Sequence, residues 1–408
     1  MRDLSVLYDA ERLKSMPRMF VLAYVVSMIA LFALTPSMID SAGKALGYDF
    51  ITFWSAGVLT LGGNPVGAFD FKAIAAAQQL AVPGLEKLFL WHYPPTFQLA
   101  TVPLAMLPYL VSYFVFVGGS LVLFVAALRP LVPHREGWIV LLALPGTFIC
   151  VMHGQNSLIS AALLGTAIMT LDRRRVIAGI CIGLLAYKPQ LGVLFPLVLA
   201  LTGRWRVMAV AAVTMALFVG LSVLAFGVDL WGVFFRNLSV ARHVTEAGLL
   251  PWGKMPSAFV FLRMLGVPQG EAYAGQIMIA MSAVAVVAFV WWRCGATLLA
   301  GAVLVTGTML LTPYTFDYEM AILAVPLAVI ARLLVRHGAS DGAKMLLLLL
   351  AVSPLAMGTP VDKIGIQVGF IVLLALFVWT AQLALAARGV RIMNIPAWNP
   401  ARSLGASG

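Results

Sequence analysis

Charge is scarce in this chain. Acidic residues number 16 in 408, and all charged residues together make up 11% of the sequence, against about 25% in an ordinary soluble domain. So little polar surface excludes a soluble globular enzyme or binding module. Cysteine is scarcer still: Cys150, Cys181 and Cys294 stand apart in apolar surroundings. Their spacing fits neither a metal-binding set nor a disulfide framework. The chain has no glycine-rich nucleotide loop, no Walker-type motif, no Asp-x-Asp or His-x-x-x-His pair and no visible internal repeat. These absences weigh against an ATP-driven transporter, and leave no metal and no cofactor as the default expectation.

What fills the chain is hydrocarbon. Hydrophobic residues are 62% of the sequence, and long apolar runs recur from residue 19 to residue 387. Such runs are too long for barrel strands. The expected fold is an all-α polytopic membrane protein with roughly 11–13 membrane segments. A net charge of +11 would raise nucleic acid as a partner in a soluble protein. Here lysine and arginine sit in short turns, as the positive-inside bias demands, so membrane lipids and no nucleic acid are expected. Residues 1–18 carry Arg12, Lys14 and Arg18 ahead of the first apolar run, and no clean cleavage site follows. They read as a cytoplasmic N-terminus, residues 19–387 as a single transmembrane domain, and residues 388–408, with Arg388, Arg391 and Arg402, as a cytoplasmic tail.

Two stretches interrupt the apolar runs, residues 35–95 and 227–276, and both are expected as outer loops. In the first, Phe50–Leu61 and Phe71–Val82 read as interfacial helices with their apolar sides towards lipid, separated by Gly62-Gly63-Asn64-Pro65. Between residues 97 and 128, Pro103 and Pro108 break a run that is long for one span and short for two. Two spans with a turn near Pro108 are preferred, which leaves Arg129, His134 and Arg135 on the wrong face for their charge. The basic turns Asp172-Arg173-Arg174-Arg175 and Thr202-Gly203-Arg204-Trp205-Arg206 mark one face. Lys188-Pro189 between them falls at the opposite turn, or in a broken helix near it.

Counting faces in this way collects Asp49, His92, His153, Gln155, Asn156, Lys188, Tyr314 and Asp317 on the outer side. Asp49 can act as a general base, and partial burial would raise its pKa; an ordinary loop acid or helix cap is the plainer reading. Lys188 suits a lipid phosphate or a snorkelling helix end. Arg236, Arg242, Lys254 and Arg263 suit phosphate or a solvated loop. His153 with Gln155 and Asn156 suits a sugar site or a satisfied turn. Asp317 lies between Tyr314 and Tyr318, and aromatic rings suit the apolar face of a sugar. Trp91 and Tyr93 are natural interface anchors, and His92 fits the same role.

Several short motifs, in this order, carry a resemblance. They are Tyr48-Asp49-Phe50 with Trp54, Tyr93-Pro94-Pro95, Gly154-Gln155-Asn156, Lys188-Pro189, the loop with Trp252 and Ser257, and Pro313-Tyr314 with Asp317-Tyr318. The chain resembles the family 87 glycosyltransferases, membrane enzymes of the C-type fold. The resemblance implies that residues 19–387 form one catalytic domain in a bacterial plasma membrane, active on the extracytoplasmic face. The donor would be a polyprenyl-phosphate sugar, with mannose favoured, and the acceptor a lipid or glycan hydroxyl. Asp49 would deprotonate that hydroxyl for one inverting displacement. Lys188, with Arg236 or Arg263, would stabilise the donor phosphate. His92, Tyr93, His153, Gln155, Asn156, Tyr314 and Asp317 would line the sugar or acceptor site. A transporter or flippase of a lipid-linked sugar and a structural membrane subunit are the competing readings. Convergence of Asp49, Lys188 and His153 on one cavity separates them from the enzyme.

Overall fold

The structure, a computed structural model, describes residues 10–132 and 134–389. Arg391 and Arg402 of the basic tail lie outside the described residues. A backbone in hydrocarbon must satisfy its own hydrogen bonds. Apart from one bridge between Ile39 and Ala45, every regular element described is helical.

Helix α1 (Ala10–Leu34) is the first span, and its apolar stretch lies at the surface. Helices α2 (Phe50–Leu61) and α3 (Phe71–Ala81) are the pair expected in the first loop. Helix α4 (Pro95–Ala105) opens on a proline, where no intrahelical N–H is needed, and α5 (Tyr109–Leu128) is the second span. The turn falls at Pro108 as expected. However, α4 has 11 residues, about 16 Å, roughly half the hydrocarbon thickness. Only α5 is long enough to cross, and the conflict over Arg129 disappears. Helices α6 (Gly137–Ala143) and α7 (Pro145–His153) are one apolar run broken ahead of Pro145. None of α8 (Ser157–Thr170), α9 (Arg175–Leu184), α10 (Pro189–Gly192) and α11 (Phe195–Leu201) reaches full span length.

Helix α12 (Trp205–Phe226) is a largely exposed span. The second expected loop is mostly helical, with α13 (Asp229–Glu246) and α14 (Ala258–Met264), before α15 (Gln269–Cys294) crosses again. Then come α16 (Leu298–Met309), a 3₁₀ segment Asp317–Leu323 that runs into α17 (Ala324–His337), α18 (Asp341–Val352), α19 (Thr359–Ile364) and α20 (Val368–Ala386). Six apolar helices among the described residues are long enough to cross a bilayer, and five of 10–17 residues supply further segments. The chain is a polytopic membrane protein.

Helix α16 is the axis. Every residue from Leu299 to Met309 is buried, against α8, α15, α17 and α20. Small side chains permit this approach: a Cβ on Gly307 would lie 2.7 Å from Val287 Cγ2. Thr306 and Thr308 return their hydroxyls to the carbonyls of Ala302 and Leu304, so no polar group is stranded.

The first half of α2 is buried in protein, where lipid contact was expected. Phe50 and Phe53 sit in an aromatic cluster with Phe97, Tyr109 and Phe116, and burial of those rings outweighs lipid exposure.

The two ends of the bundle differ. Arg18 pairs with Glu136 at 2.7 Å, Arg204 with Asp172 at 2.7 Å, and Arg332 donates to the Pro130 carbonyl at 2.7 Å. These contacts tie the basic turns together at one end. The breaks at residues 47–49, 153–156 and 187–189, and the segment after Thr312, lie at the other.

Helix α2 meets α4 most closely at Gly57, where an added Cβ would fall 2.4 Å from the Thr101 carbonyl oxygen. Alanine is the better helix former by about 1 kcal/mol, but overpacking against backbone costs about 1–3 kcal/mol. Gly57→Ala is therefore expected to lower the thermal unfolding midpoint in detergent; an unchanged or raised midpoint contradicts this packing.

Candidate active site

Asp49 occupies the N-cap position of α2, yet its side chain makes no cap hydrogen bond. A capping acid would turn back to the first helical amides. Instead Oδ2 accepts from His153 Nδ1 at 3.0 Å and from Gln155 Nε2 at 3.1 Å. Both donors use the same oxygen, so Oδ1 has no hydrogen-bond partner among the described residues. The side chain is a quarter exposed, so Oδ1 can be reached.

Local backbone geometry aims these groups. Tyr48 adopts φ +43°, a left-handed conformation uncommon for a bulky residue. Its hydroxyl donates to Asp40 Oδ2 at 3.0 Å, which fixes the loop ahead of Asp49. On the facing side α7 ends at Gly154 with φ +58°, and a Cβ there would fall 2.5 Å from Phe50 Cβ. Only glycine both turns the chain left-handed and lets His153 and Gln155 come against α2.

The network extends on both sides. Lys254 Nζ donates to His153 Nε2 at 3.1 Å and lies 3.5 Å from Asp317 Oδ2. His153 thus bridges the two groups, with Nδ1 at Asp49 and Nε2 at Lys254. Its ring lies between those of Tyr48 at 5.2 Å and Tyr318 at 5.6 Å. Gln155 is held by Tyr93, whose hydroxyl donates to Oε1 at 2.8 Å. Asn156 is fully buried behind it, its carbonyl accepting from the Ser160 hydroxyl at 3.5 Å.

Lys188 sits deeper. It pairs with Glu319 Oε1 at 3.1 Å, and both side chains are less than a tenth exposed. The rings of Tyr93 and Tyr318 flank the ammonium at 5.9 and 5.6 Å. The second Glu319 oxygen accepts the Phe316 N–H at 3.2 Å. Lys188 is thus held by a carboxylate before any ligand arrives.

The other expected residues lie apart from this cluster in their recorded contacts. His92 meets Asn237 at 3.2 Å, and burial lowers its pKa to about 4, so it is neutral at physiological pH. Arg263 stacks on Trp252 at 5.5 Å and donates to the Val267 carbonyl. Arg236 is exposed on α13, and Tyr314 is partly exposed beside Tyr273. The Lys44 pKa is lowered, by burial first and then by the charges of Lys254 and Lys87.

The sequence expectation of a raised Asp49 pKa is corrected. Burial does push the carboxyl up, but the pull of His153, the hydrogen bonds from His153 and Gln155, and the Lys254 charge together leave it below the ordinary value. Glu319 and Tyr48 were not singled out as site residues, whereas Lys254 was named as suiting phosphate or a solvated loop. The spacing Asp317-Tyr318-Glu319 at the end of an apolar run was the signal for the acids. The contacts of Lys254 with His153 and Asp317 had no signal beyond its place in a polar loop. Among the described residues no three His, Cys, Asp or Glu side chains converge as metal ligands would.

The model described as glycosyltransferase family 87 matches residues 91–313. That range holds His153, Gln155, Lys188 and Lys254 and excludes Asp49, Asp317 and Glu319. No curated protein and no solved structure matches the chain.

Breaking the Lys188–Glu319 pair from one side strands a buried charge, at a cost of about 3–5 kcal/mol. Lys188→Met and Glu319→Leu are each expected to destabilise strongly, and the double variant to recover much of the loss. Thermal unfolding of the three in one detergent checks this. Additive losses would mean that the two side chains do not interact.

Proposed function

Because the chain belongs to glycosyltransferase family 87 and is a sugar-transferring enzyme, we propose that it moves a hexose from a polyprenyl-phosphate donor to a lipid or glycan hydroxyl. The observation that carries this reading is the half-engaged Asp49 carboxylate, linked through His153 to Lys254. Both nitrogens of His153 have partners, whereas Asp49 keeps Oδ1 open. Asp49 is therefore the base, and His153 and Gln155 hold it. The acceptor hydroxyl gives its proton to Oδ1 as its oxygen attacks the anomeric carbon. The bond from that carbon to the phosphate oxygen breaks on the opposite side, so the anomeric configuration inverts. Polyprenyl phosphate leaves with the bonding electrons. Lys254 offsets the charge that develops on phosphate.

The leaving group is a stable phosphate, so no strong general acid is required. Phosphate drawn to Lys254 also screens that cation from Asp49 and so strengthens the base when donor is present. Lys188 acts through Glu319 and the Tyr93 and Tyr318 rings, positioning the site. The prenyl chain stays in lipid, where its burial is favourable by about 0.8 kcal/mol per CH₂. The positive-inside bias supports a cytoplasmic basic end and an extracytoplasmic site, and the family resemblance supports a bacterial plasma membrane. Mannose is the favoured sugar on family resemblance.

The test is transfer of labelled sugar from synthetic polyprenyl-phosphate sugars into membrane lipid by purified protein. Asp49→Asn is expected to retain donor binding and lose about 10²–10⁴-fold in rate. Undiminished transfer would place the base elsewhere. Donor movement across vesicles without any transfer would support a flippase instead.

The pH profile gives a second check. A carboxyl with a lowered pKa stays ionised to lower pH, so the acid limb of native transfer is expected below the ordinary value of 3.8. Lys254→Met removes a downward pull, so that limb is expected to move up. A limb that stays in place separates Lys254 from Asp49.

A further inference from the structure

The basic end holds an open cavity. A cavity of about 330 Å³ lies where α15 ends, α16 begins, and α17 and α20 end. Arg332, Arg336, Arg388, His337 and Thr297 line it, together with aliphatic walls that include Leu299, Leu333 and Ala384. The lining contains no carboxylate, and these arginines form no ion pair among the described residues. Two of them are fixed. Arg332 donates to the Pro130 carbonyl at 2.7 Å, and Arg388 to the Cys294 carbonyl at 3.1 Å. The Arg332 Nε remains buried without a hydrogen-bond partner. Arg336 is exposed and makes no hydrogen bond of its own among the described residues.

Arg332 and Arg336 come from α17 and Arg388 from just past the end of α20, and together they border a cavity of ligand size. Paired cationic donors would meet carboxylates; these meet none, and guanidinium groups match the fork of a phosphate. The aliphatic walls exclude a site built for free phosphate alone, which would need polar groups on most sides. The helices that form the cavity run from the candidate active site to this end, so the two sites lie at opposite membrane faces.

We propose that this cavity binds the phosphate of an anionic lipid, with the headgroup against Arg332, Arg336 and Arg388 and the chains along the aliphatic walls. The site is independent of the transfer chemistry. It is sequence-readable only as basic turns, because the cavity depends on how four helix ends meet.

Native mass spectrometry of the full chain, purified with equal phosphatidylglycerol and phosphatidylcholine, tests it. One phosphatidylglycerol is expected to be retained in preference to phosphatidylcholine. Arg336→Gln touches no structural hydrogen bond, and is expected to reduce that retention about fivefold. Arg336→Lys should preserve the preference, as should Arg206→Gln, an exposed arginine at the start of α12. Equal retention of the two lipids, or an unaffected Arg336→Gln variant, would overturn the site. Displacement of the lipid by inorganic phosphate at physiological concentration would overturn the lipid assignment, since it marks a small-anion site.

Discussion

An ion near hydrocarbon must find an opposite charge or water, and the site end of this protein is arranged around that constraint. Lys188 faces Glu319, Lys254 faces Asp317, and Asp49 faces the donors of His153 and Gln155. Cations and carboxylates alternate through one network whose members come from five separated segments. Each of these members stands where a regular helix is interrupted. Lys188 follows the end of α9, His153 closes α7, Lys254 precedes α14, and the two acids open the run into α17. Irregular backbone at membrane depth is tolerated where it lines a polar cavity. The breaks and the charges are therefore one feature: broken helices supply the turns, and the turns carry the groups that chemistry needs.

The all-α membrane architecture was legible because hydrocarbon imposes long apolar runs that composition alone reveals. Turns at Gly62–Pro65 and Pro108 were legible because proline and glycine act locally. The depth of Lys188 was half legible: Pro189 announced a broken helix, but nothing local announced Glu319, 131 residues away. Asp49 and His153 could be named separately as polar groups on one face. Their contact depends on Gly154 and on the left-handed Tyr48, and only packing reveals that α7 and α2 meet there. Arg236 and Arg263 show the limit from the other side. Both were reasonable phosphate ligands by composition, but side-chain direction is set by α13 and α14.

The direction of the Asp49 pKa illustrates why burial alone is a poor guide. Desolvation favours the neutral acid, but the groups that bury Asp49 are themselves hydrogen-bond donors and a cation. Their pull exceeds the desolvation push, so the carboxylate is ionised and held at one oxygen. On the proposed reading this suits its task. The bound oxygen fixes orientation, the open oxygen accepts the proton, and the donor phosphate weakens the cation that restrains the base.

Both ends of α16, α17 and α20 gather cations, and the distribution of acids separates their roles. At the site end the lysines are balanced by carboxylates, and Asp49 and Lys254 are partly exposed, so charge can be redistributed when a ligand enters. At the basic end the arginines stand around an aliphatic cavity with no acid among its lining residues. A balanced network can exchange protons and respond to phosphate; an unbalanced one can only attract an anion and keep it. The first arrangement fits a reaction centre and the second a static anchor. The same three helices hold both, because a rigid buried axis fixes its two ends together.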